Sequence, residues 1–452
     1  SLCRREKVPY SVIGEVTGDG YIILHDSLDD SYPEQLELEK VLGKMPQKTF
    51  RLKRVQGRLE PLKIPEGTSV KDALERVLRL LSVGSKRFLT NKVDRSVTGL
   101  IARQQCTGPL QLTLSDVAVV AQSHFSLTGA AISIGEQPIK GLISPQAMAR
   151  LSVGEAITNI MWAKLTALTD IKCSGNWMWA AKLPGEGARL YDAAVALRDI
   201  LIELGIAIDG GKDSLSMAAL VRGKNGKEEV VKSPGTLVIS AYAPCTDITK
   251  TVTPDIKRPG ESGLIYIDLG KGRYRTGGSA LAQVFGQVGN ETPDLEEPEL
   301  LKKTFQAVQE LIDQRLILSG HDRSDGGLIT TLVEMAFGGN CGIKVDIEAE
   351  GVDPVRVLFS EELGVVFEYP LERQEDVLRI LEAHALPFQK IGITTEEKHI
   401  DIQVDGKAVL SEDMLKLRAL WEETSYQLDR LQANPECVDE EFRVIYDRPG
   451  PR

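Results

Sequence analysis

Three separated segments of the chain place carboxylate or amide side chains at the ends of apolar runs. They are Leu114–Val117, Gly154–Asn159 and Gly320–Gly327. Mg²⁺ takes oxygen ligands and commonly shares its coordination sphere between a few protein carboxylates and the phosphates of a substrate. These residue types therefore predict a site that binds a nucleotide together with magnesium.

The first candidate ligands, Glu155 and Asn159, lie four residues apart in a predicted helix from about Pro145 to Leu168. Residues at this spacing share one helix face. Their neighbours are apolar nearly all round the helix, and a buried, unpaired carboxylate is costly. Glu155 therefore needs a partner, which could be a divalent cation or a salt bridge to Lys164.

Asp116 begins the apolar run Val117–Ala121, which predicts a buried strand. A carboxylate at this position could bind a ligand, and capping of the strand end is the alternative. Gly320–Gly327 predicts a tight loop between a strand and a helix. Such a loop offers backbone N–H groups to phosphate and leaves Asp322 free to hold a cation.

Two other residues of this loop have simpler interpretations. We expect Asp325 to serve only as the N-cap of the following helix. His321 is interpreted as a structural histidine, with a role as general base as the alternative.

A second glycine-rich segment, Asp209–Ser214, predicts a turn after a strand. It departs from the Walker pattern, so it is either a phosphate or substrate loop or a solvated β-turn. Lys86, in Gly84–Arg87, is a further candidate near the start of the first lobe. The aromatic segment Cys173–Trp179 could form a binding wall or pack in the core. The candidate loop residues are Gly210, Gly211, Lys212, Asp213 and Ser214.

Hydrophobic periodicity predicts two lobes of mixed α/β structure, with more antiparallel sheet than a doubly wound fold. A charged segment with proline and glycine, Pro254–Ser262, is the expected hinge between them. In the first lobe we expect helices at Ser69–Leu81, Pro145–Leu168 and Leu190–Leu204, and strands at Leu110–Leu114, Asp116–Ser123, Ile206–Ile208, Leu215–Val221 and Thr236–Ala243. In the second lobe we expect strands at Gly263–Asp268, Leu316–Ser319, Gly342–Ile347 and Leu363–Tyr369, and helices at Gly278–Phe285, Pro298–Gln314, Gly327–Phe337 and Leu371–Ala383.

A short internal repeat suggests a duplication. Pro9–Val16 resembles Pro387–Thr394, and each is followed by a strand and a leucine-rich helix. The repeat predicts that the first residues, to about position 57, are the tail of a preceding copy. Chance similarity between two hairpin-and-helix units is the alternative. Residues after Leu431 are expected to form a linker.

Composition narrows the class of protein. The chain has 452 residues, a formal net charge of −11 and six scattered cysteines. The negative charge argues against binding to nucleic acid or to a membrane surface. The cysteines lack a C-x-x-C pair, which favours free thiols in a reducing compartment. We therefore expect a cytoplasmic protein.

Taken together, these segments resemble the synthetase region of the phosphoribosylformylglycinamidine synthase family, which acts in purine biosynthesis. The matching strings are Gly84–Lys86, Asp94–Gly99, Leu114–Ala118, Gly154–Asn159, Cys173–Lys182, Asp209–Met217, Gly277–Ala282 and His321–Gly327.

The resemblance implies an aminoimidazole-ribonucleotide (AIR) synthetase type of fold, α+β and α/β in class. Residues 58–256 would form an antiparallel-sheet N-lobe and residues 257–430 an α/β C-lobe. Residues 1–57 would be the tail of a preceding C-lobe, and residues 431–452 a linker towards a glutaminase domain.

The resemblance also implies an auxiliary site that holds ADP or ATP with Mg²⁺. By matching motif, Asp116, Glu155, Asn159 and Asp322 would bind the metal. Lys86 and Ser324 would contact the nucleotide, and no catalytic residue is assigned to this chain.

In the family, ATP, formylglycinamide ribonucleotide and glutamine give the amidine. None of the six cysteines has the Gly-x-Cys-x-Gly setting of a glutaminase nucleophile. The expected partners are therefore the first synthetase half and the glutaminase domain of the same enzyme, and the segment alone is expected to be inactive. Because the first lobes of the family pack sheet to sheet, a homodimer is also predicted. The alternative function is a stand-alone ATP-dependent small-molecule kinase of the same superfamily.

Overall fold

The computed structural model describes residues 2–44, 46–55, 57–90, 99–223 and 226–446. The chain divides into an N-terminal unit, Ser1–Leu52, and a main unit, Lys53–Arg452. Residues 94–98 of one matching string lie outside the described residues, as do residues 224 and 225 of the turn after Val221.

The N-terminal unit is built on one antiparallel hairpin. Tyr21 pairs with Glu37 at one end and Asp26 with Ser31 at the other. The hairpin is followed directly by a short helix, as the repeat predicts, whereas residues 9–16 form no strand. The elements are α1 (Leu2–Arg5), β1 (Tyr21–Asp26), β2 (Ser31–Glu37) and α2 (Leu38–Leu42).

The first part of the main unit contains a six-stranded sheet in the order β3-β6-β7-β12-β8-β9. Its pairs are antiparallel except β8 with β9. The predicted antiparallel-sheet lobe is therefore confirmed. The elements are α3 (Val70–Val77), α4 (Arg87–Thr90), β3 (Ile101–Arg103), β4 (Cys106–Thr107), β5 (Thr113–Leu114), β6 (Ala118–Ala121), β7 (Gly129–Glu136), α5 (Pro138–Ile143), α6 (Pro145–Ile160), β8 (Lys172–Met178), α7 (Glu186–Leu204), β9 (Ala207–Ser214), β10 (Ala218–Arg222), β11 (Glu228–Lys232) and β12 (Thr236–Cys245).

One face of this sheet is covered by helix α6, which packs on β7 and β12 and against α7. Successive side chains of a strand point to opposite faces. Accordingly, Ala131 and Ser133 of β7 are buried, whereas Ile132 and Ile134 are exposed. The outer face of the first sheet therefore presents apolar side chains to solvent.

The predicted turn at Asp209–Ser214 is wrong, because these residues belong to strand β9. They pair in parallel with β8, with Gly210 opposite Ser174 and Gly211 opposite Gly175. A Cβ atom at Gly211 would lie 2.1 Å from the carbonyl oxygen of Gly175. The glycine therefore serves the close approach of two strands rather than a turn.

The second part of the main unit contains a seven-stranded mixed sheet in the order β14-β16-β13-β17-β15-β18-β19. Strands β15 and β18 are parallel, and the other pairs are antiparallel. The elements are β13 (Ser262–Asp268), α8 (Ala280–Val284), α9 (Pro298–Asp313), β14 (Ser319–Asp322), α10 (Gly327–Gly339), β15 (Gly342–Ile347), α11 (Pro354–Phe359), β16 (Gly364–Pro370), α12 (Gln374–Ala383), β17 (Gln389–Thr395), β18 (His399–Val404), β19 (Lys407–Asp413), α13 (Met414–Gln432) and α14 (Pro435–Arg443).

Two segments pack differently from the expectation. Helix α3, expected in the first lobe, buries Leu74 and Val77 in the core of the second sheet and contacts α8 and β19. The expected linker after Leu431 contains helix α14, which packs on α13. There the Tyr426 and Phe442 rings stack with centroids 4.1 Å apart. Apolar patterning predicted α3, but patterning does not say which core a helix joins.

Candidate nucleotide and metal site

A cleft of about 570 Å³ brings the first sheet together with the loop after β14. This volume lies in the usual range for a small-molecule site. Its polar lining contains five of the predicted site residues, together with several that were not predicted. The predicted ones are Lys86, Asp116, Asn159, Asp322 and Ser324, and the others include Arg103, Gln104, Gln105, His321, Glu334 and Trp421.

The centre of the cleft is formed by Asp116, His321 and Asp322, which we call the cleft cluster. The Asp116 carboxylate accepts the backbone N–H of Asp322 at 3.1 Å and lies 2.9 Å from Nδ1 of His321. The potential ligand atoms of the three residues all lie within 4.8 Å of one another. Oδ2 of Asp322 is buried and has no hydrogen-bond partner among the described residues. This oxygen and its neighbours suit a divalent cation.

The electrostatics of the cluster agree with that assignment. Burial and the neighbouring Asp116 carboxylate raise the pKa of Asp322 to about 8. Burial alone would lower the pKa of His321, but Asp116 and Glu334 outweigh it and raise that pKa well above its usual value. The cluster thus holds extra protons, which a divalent cation would displace.

His321 is held at both ring nitrogens. Nε2 lies 3.1 Å from Glu334, on the side away from Asp116. The indole N–H of Trp421 also donates to Glu334, at 3.0 Å. A histidine between two carboxylates is fixed in place, which favours the structural interpretation over that of a general base.

Glu155 and Asn159 share one face of α6, as expected, and both bind the backbone of β7. Oε2 of Glu155 accepts the N–H of Glu136 at 2.7 Å, and the Asn159 amide donates to the Ile134 carbonyl at 3.0 Å. Strand β6 pairs with β7 only as far as Ile132. Beyond that residue, Glu155 and Asn159 supply hydrogen-bond partners for backbone groups of β7.

The Glu155 carboxyl group nevertheless lies within electrostatic reach of the cleft cluster. Burial raises its pKa well above the usual value, and Asp322 and Asp325 add to that effect. The alternative salt bridge is not formed, since Lys164 contacts Asp313 at 3.7 Å and the Gln309 carbonyl at 3.2 Å.

Lys86 and Ser324 both line the cleft. The Lys86 ammonium donates to three backbone carbonyls, those of Leu81, Ser82 and Gly84, at 2.8, 3.0 and 2.6 Å. Ser324 Oγ lies 3.5 Å from Oδ1 of Asp322. Lys86 therefore contributes a fixed positive charge, and Ser324 a hydroxyl beside the metal ligand.

The N-cap assignment for Asp325 is wrong. Helix α10 begins after Gly326, which has a left-handed backbone and no side-chain cap. The Gly326 N–H donates instead to the buried Glu361 carboxylate, at 2.7 Å. The Glu361 carboxylate, from a distant part of the chain, thus accepts a backbone N–H at the start of α10. Asp325 does not cap the helix, and its carboxylate lies 3.9 Å from Nζ of Lys140.

Sequence reasoning missed Lys140 and Glu361, which we call the buried pair. Nζ of Lys140 lies 2.6 Å from Oε2 of Glu361, and both side chains are almost fully buried. Oε1 of Glu361 accepts the N–H groups of Gly326 and Ala280, at 2.7 and 2.8 Å. The pair thus joins α5 to the starts of α8 and α10. No local pattern links residues so far apart in the chain.

Gly210–Ser214 does not line the cleft. In strand β9 most of these residues are exposed. Lys212 donates to Ser214 at 2.7 Å. Any contact of this strand with a substrate would therefore belong to a different surface.

Comparison with known proteins places the chain in a family. The model described as FGAR-AT PurM_N-like domain matches residues 85–244, and the C-terminal domain of AIR synthase related proteins matches residues 265–405. A probable phosphoribosylformylglycinamidine synthase of Arabidopsis thaliana, named chloroplastic/mitochondrial, is 55% identical over 100% of this chain and 33% of its own length. The Homo sapiens phosphoribosylformylglycinamidine synthase is 52% identical over 99% and 34%. The chain belongs to the phosphoribosylformylglycinamidine synthase family. It corresponds to a segment of the longer proteins of that family.

Solved structures show the same AIR synthase fold. Thermotoga maritima PurL complexed with FGAR has a TM-score of 0.55 at 14% identity, over 78% of this chain and 54% of its own. The T. maritima PurLQS structure has a TM-score of 0.54 at 14% identity, over 84% and 53%. The chain spans about one third of the curated phosphoribosylformylglycinamidine synthases it matches. Among the described residues, no helix is both long and apolar enough to cross a membrane.

Proposed function

We propose that the cleft binds an adenine nucleotide with Mg²⁺, and that this segment carries the auxiliary nucleotide site of a phosphoribosylformylglycinamidine synthase. The observation that carries the proposal is the buried, unpartnered Oδ2 of Asp322 beside Asp116 and His321. An orphaned carboxylate oxygen is costly unless a ligand completes it. One of the fold relatives, T. maritima PurL, is described as complexed with ADP, with a TM-score of 0.51 at 16% identity.

Each residue has a distinct part in this proposal. Asp116 and Asp322 hold the metal, with Asn159 and Glu155 completing its oxygen ligands from α6. Lys86 supplies positive charge, and Ser324 a hydroxyl for the phosphates. The ion, when bound, offsets the negative charge of the phosphates.

The relatives support a larger activity for the whole enzyme. We infer that it amidates formylglycinamide ribonucleotide with glutamine-derived ammonia and consumes ATP, as the family resemblance implies. The names of the relatives, which give phosphoribosylformylglycinamidine as the product, support this inference. This segment would act with the first synthetase half and a glutaminase domain, and would turn over no ATP alone. Residues 1–57 and 431–452 would join it to those parts, and a cytoplasmic location goes with the proposal.

Calorimetric titration with Mg–ADP, on the folded chain freed of any co-purified nucleotide, tests the nucleotide site. The chain is expected to bind about one equivalent, and Asp322→Asn to weaken binding at least tenfold, because a charged ligand interaction is lost. Asp346→Asn, an exposed carboxylate of β15, is the matched control and should leave binding unchanged. Absence of binding by the wild-type chain would overturn the proposal. Turnover of ATP by the chain alone would favour the kinase alternative.

A homodimer through the outer face of the first sheet is a separate proposal. It is supported by the exposed side chains Ile132 and Ile134 of β7, which are 40% and 55% accessible and also line the cleft, so that the dimer surface would adjoin the nucleotide site. Exposed apolar patches commonly mark association surfaces. Light scattering should give twice the chain mass, and Ile134→Glu should give a monomer. A monomeric wild-type chain would contradict it.

A further inference from the structure

One cationic side chain of the cleft has no assigned partner or role. Arg103 lines the cleft from strand β3, and its Nε is buried without a hydrogen-bond partner. Within the described ranges, no hydrogen bond or ion pair engages its guanidinium. A guanidinium is always charged and can only donate hydrogen bonds. Leaving it half-buried and unpaired costs free energy unless an anion completes it.

The backbone conformation of β3 determines the direction of the Arg103 side chain. Strand β3 pairs with β6 through an irregular register, with Ile101 opposite Val120 and Arg103 opposite Val119. An extra residue on one strand redirects the side chains beside it. The irregularity therefore fixes where the Arg103 side chain lies on the wall of the cleft.

The surroundings of Arg103 reinforce the need for an anion. Burial lowers the pKa of Lys257, and the nearby positive charge of Arg103 adds to this effect. The Lys257 ammonium is already satisfied by Asp255 and Thr253, at 2.7 and 2.8 Å. Lys257 is thus a second positive charge near Arg103, and the Asp255 carboxylate already forms an ion pair with Lys257.

Lys86 does not supply a free hydrogen-bond donor for an anion in the cleft. An ammonium has three donors, and Lys86 uses three on the carbonyls of Leu81, Ser82 and Gly84. It can therefore attract phosphate as a charge but cannot donate to it without breaking a bond. Arg103 has free donors in the same cleft, and its planar fork fits two phosphate oxygens at once.

We propose that Arg103 is the phosphate-binding donor of the cleft and holds a phosphate group of the bound magnesium nucleotide. This inference rests on the proposed function for the identity of its ligand. It assigns to Arg103 a binding role that the metal ligands do not supply.

Calorimetry on the full chain, freed of any co-purified nucleotide, measures the binding of Mg–ADP. Ligand-observed NMR measures the binding of adenosine, which lacks phosphate. Arg103→Met should weaken Mg–ADP binding at least about tenfold. Arg103→Lys should fall between it and the wild type, since it keeps charge but not the fork. Adenosine binding should stay the same in all three proteins. The thermal midpoint without ligand should not fall, because Arg103 gives up no internal partner.

Arg198→Met is the matched control, since Arg198 is an exposed arginine of α7 that, among the described residues, pairs with its neighbour Asp199. It should bind Mg–ADP like the wild type. The inference is overturned if Arg103→Met binds Mg–ADP within about twofold of the wild type, or loses adenosine and ADP equally. If the wild type binds no nucleotide, the proposed function is wrong, but the inference about Arg103 can still be tested. The binding of magnesium pyrophosphate to the wild type and to Arg103→Met is then compared. Equal pyrophosphate binding by wild type and Arg103→Met would overturn the inference there too.

Discussion

The cleft cluster and the buried pair are built from the same kinds of residue but differ in how their charges are satisfied. In the buried pair, both oxygens of Glu361 have donors: Lys140 at 2.6 Å on one, and two backbone N–H groups on the other. In the cleft cluster, Oδ2 of Asp322 has none among the described residues. One cluster is complete within the protein, and the other is completed by a ligand.

The difference separates a structural carboxylate from a binding carboxylate. Both Glu361 and Asp322 are almost fully buried, so burial alone does not distinguish them. The supply of donors does. Breaking a satisfied pair leaves an uncompensated charge, whereas neutralising an orphaned carboxylate removes one. At a pH near or above the pKa of Asp322, which is about 8, substitutions at the two positions should therefore have opposite effects on stability.

The largest effect is expected for Glu361→Ala. This change strands the Lys140 ammonium and leaves the N–H groups of Gly326 and Ala280 unpaired, so the free energy of unfolding should fall by about 3–5 kcal/mol. Urea unfolding measures it. Glu361→Gln, which keeps an acceptor oxygen for the two N–H groups, is the control and should cost less. A loss under about 1 kcal/mol for Glu361→Ala would remove the distinction between the clusters.

The second effect is the pH dependence of the cleft cluster without metal. The pKa of Asp322 is about 8 in the native state, against about 3.9 in an unfolded chain. The native state thus keeps a proton that the unfolded state releases, and stability should fall as pH rises from about 4 to about 8. Asp322→Asn should lose this part of the slope and gain stability over the wild type near pH 8.

Urea unfolding at pH 5 and pH 8 in a metal chelator checks this prediction. Saturating Mg–ADP should remove the Asp322 contribution to the difference between the two pH values in the wild type, because the ion takes the place of the proton. Identical pH slopes for wild type and Asp322→Asn would show that the Asp322 carboxyl is not held in its protonated form.

The smallest effect is expected at Asp325. Loss of a true N-cap costs about 1 kcal/mol, but Asp325 caps no helix here. Asp325→Ala should therefore change the free energy of unfolding by less than about 0.5 kcal/mol. Ser144→Ala, at the cap of α6, is the positive control, because Ser144 accepts the N–H of Ala147 at 3.1 Å. Equal costs for the two would restore the cap role of Asp325.

The sequence predicted those parts of the molecule that local patterns determine. Helix α9 was expected at Pro298–Gln314 and spans Pro298–Asp313, because its apolar spacing and first-turn proline act within one segment. The same holds for strand β13. Asp209–Ser214 failed because glycine and aspartate favour turns locally, while parallel pairing with β8 is a non-local interaction.

The site divides in the same way. Sequence motifs predicted Asp116 and Asp322 as site residues. The structure shows that the two side chains lie close together in the cleft. The buried pair was not predictable, since Lys140 and Glu361 are 221 residues apart and each looks like a surface residue in its own segment. Arg103 was missed for a related reason, because an unpaired side chain is visible only when its neighbours are known.

The central claim, that the cleft cluster is completed by magnesium and a nucleotide, has one direct test. The purified chain is heat-denatured, the supernatant is resolved by anion-exchange chromatography, and its magnesium is assayed. We predict about one equivalent of ADP with magnesium from the wild type, and neither from Asp322→Ala. A wild-type chain that releases no nucleotide and binds none when Mg–ADP is added would contradict the account.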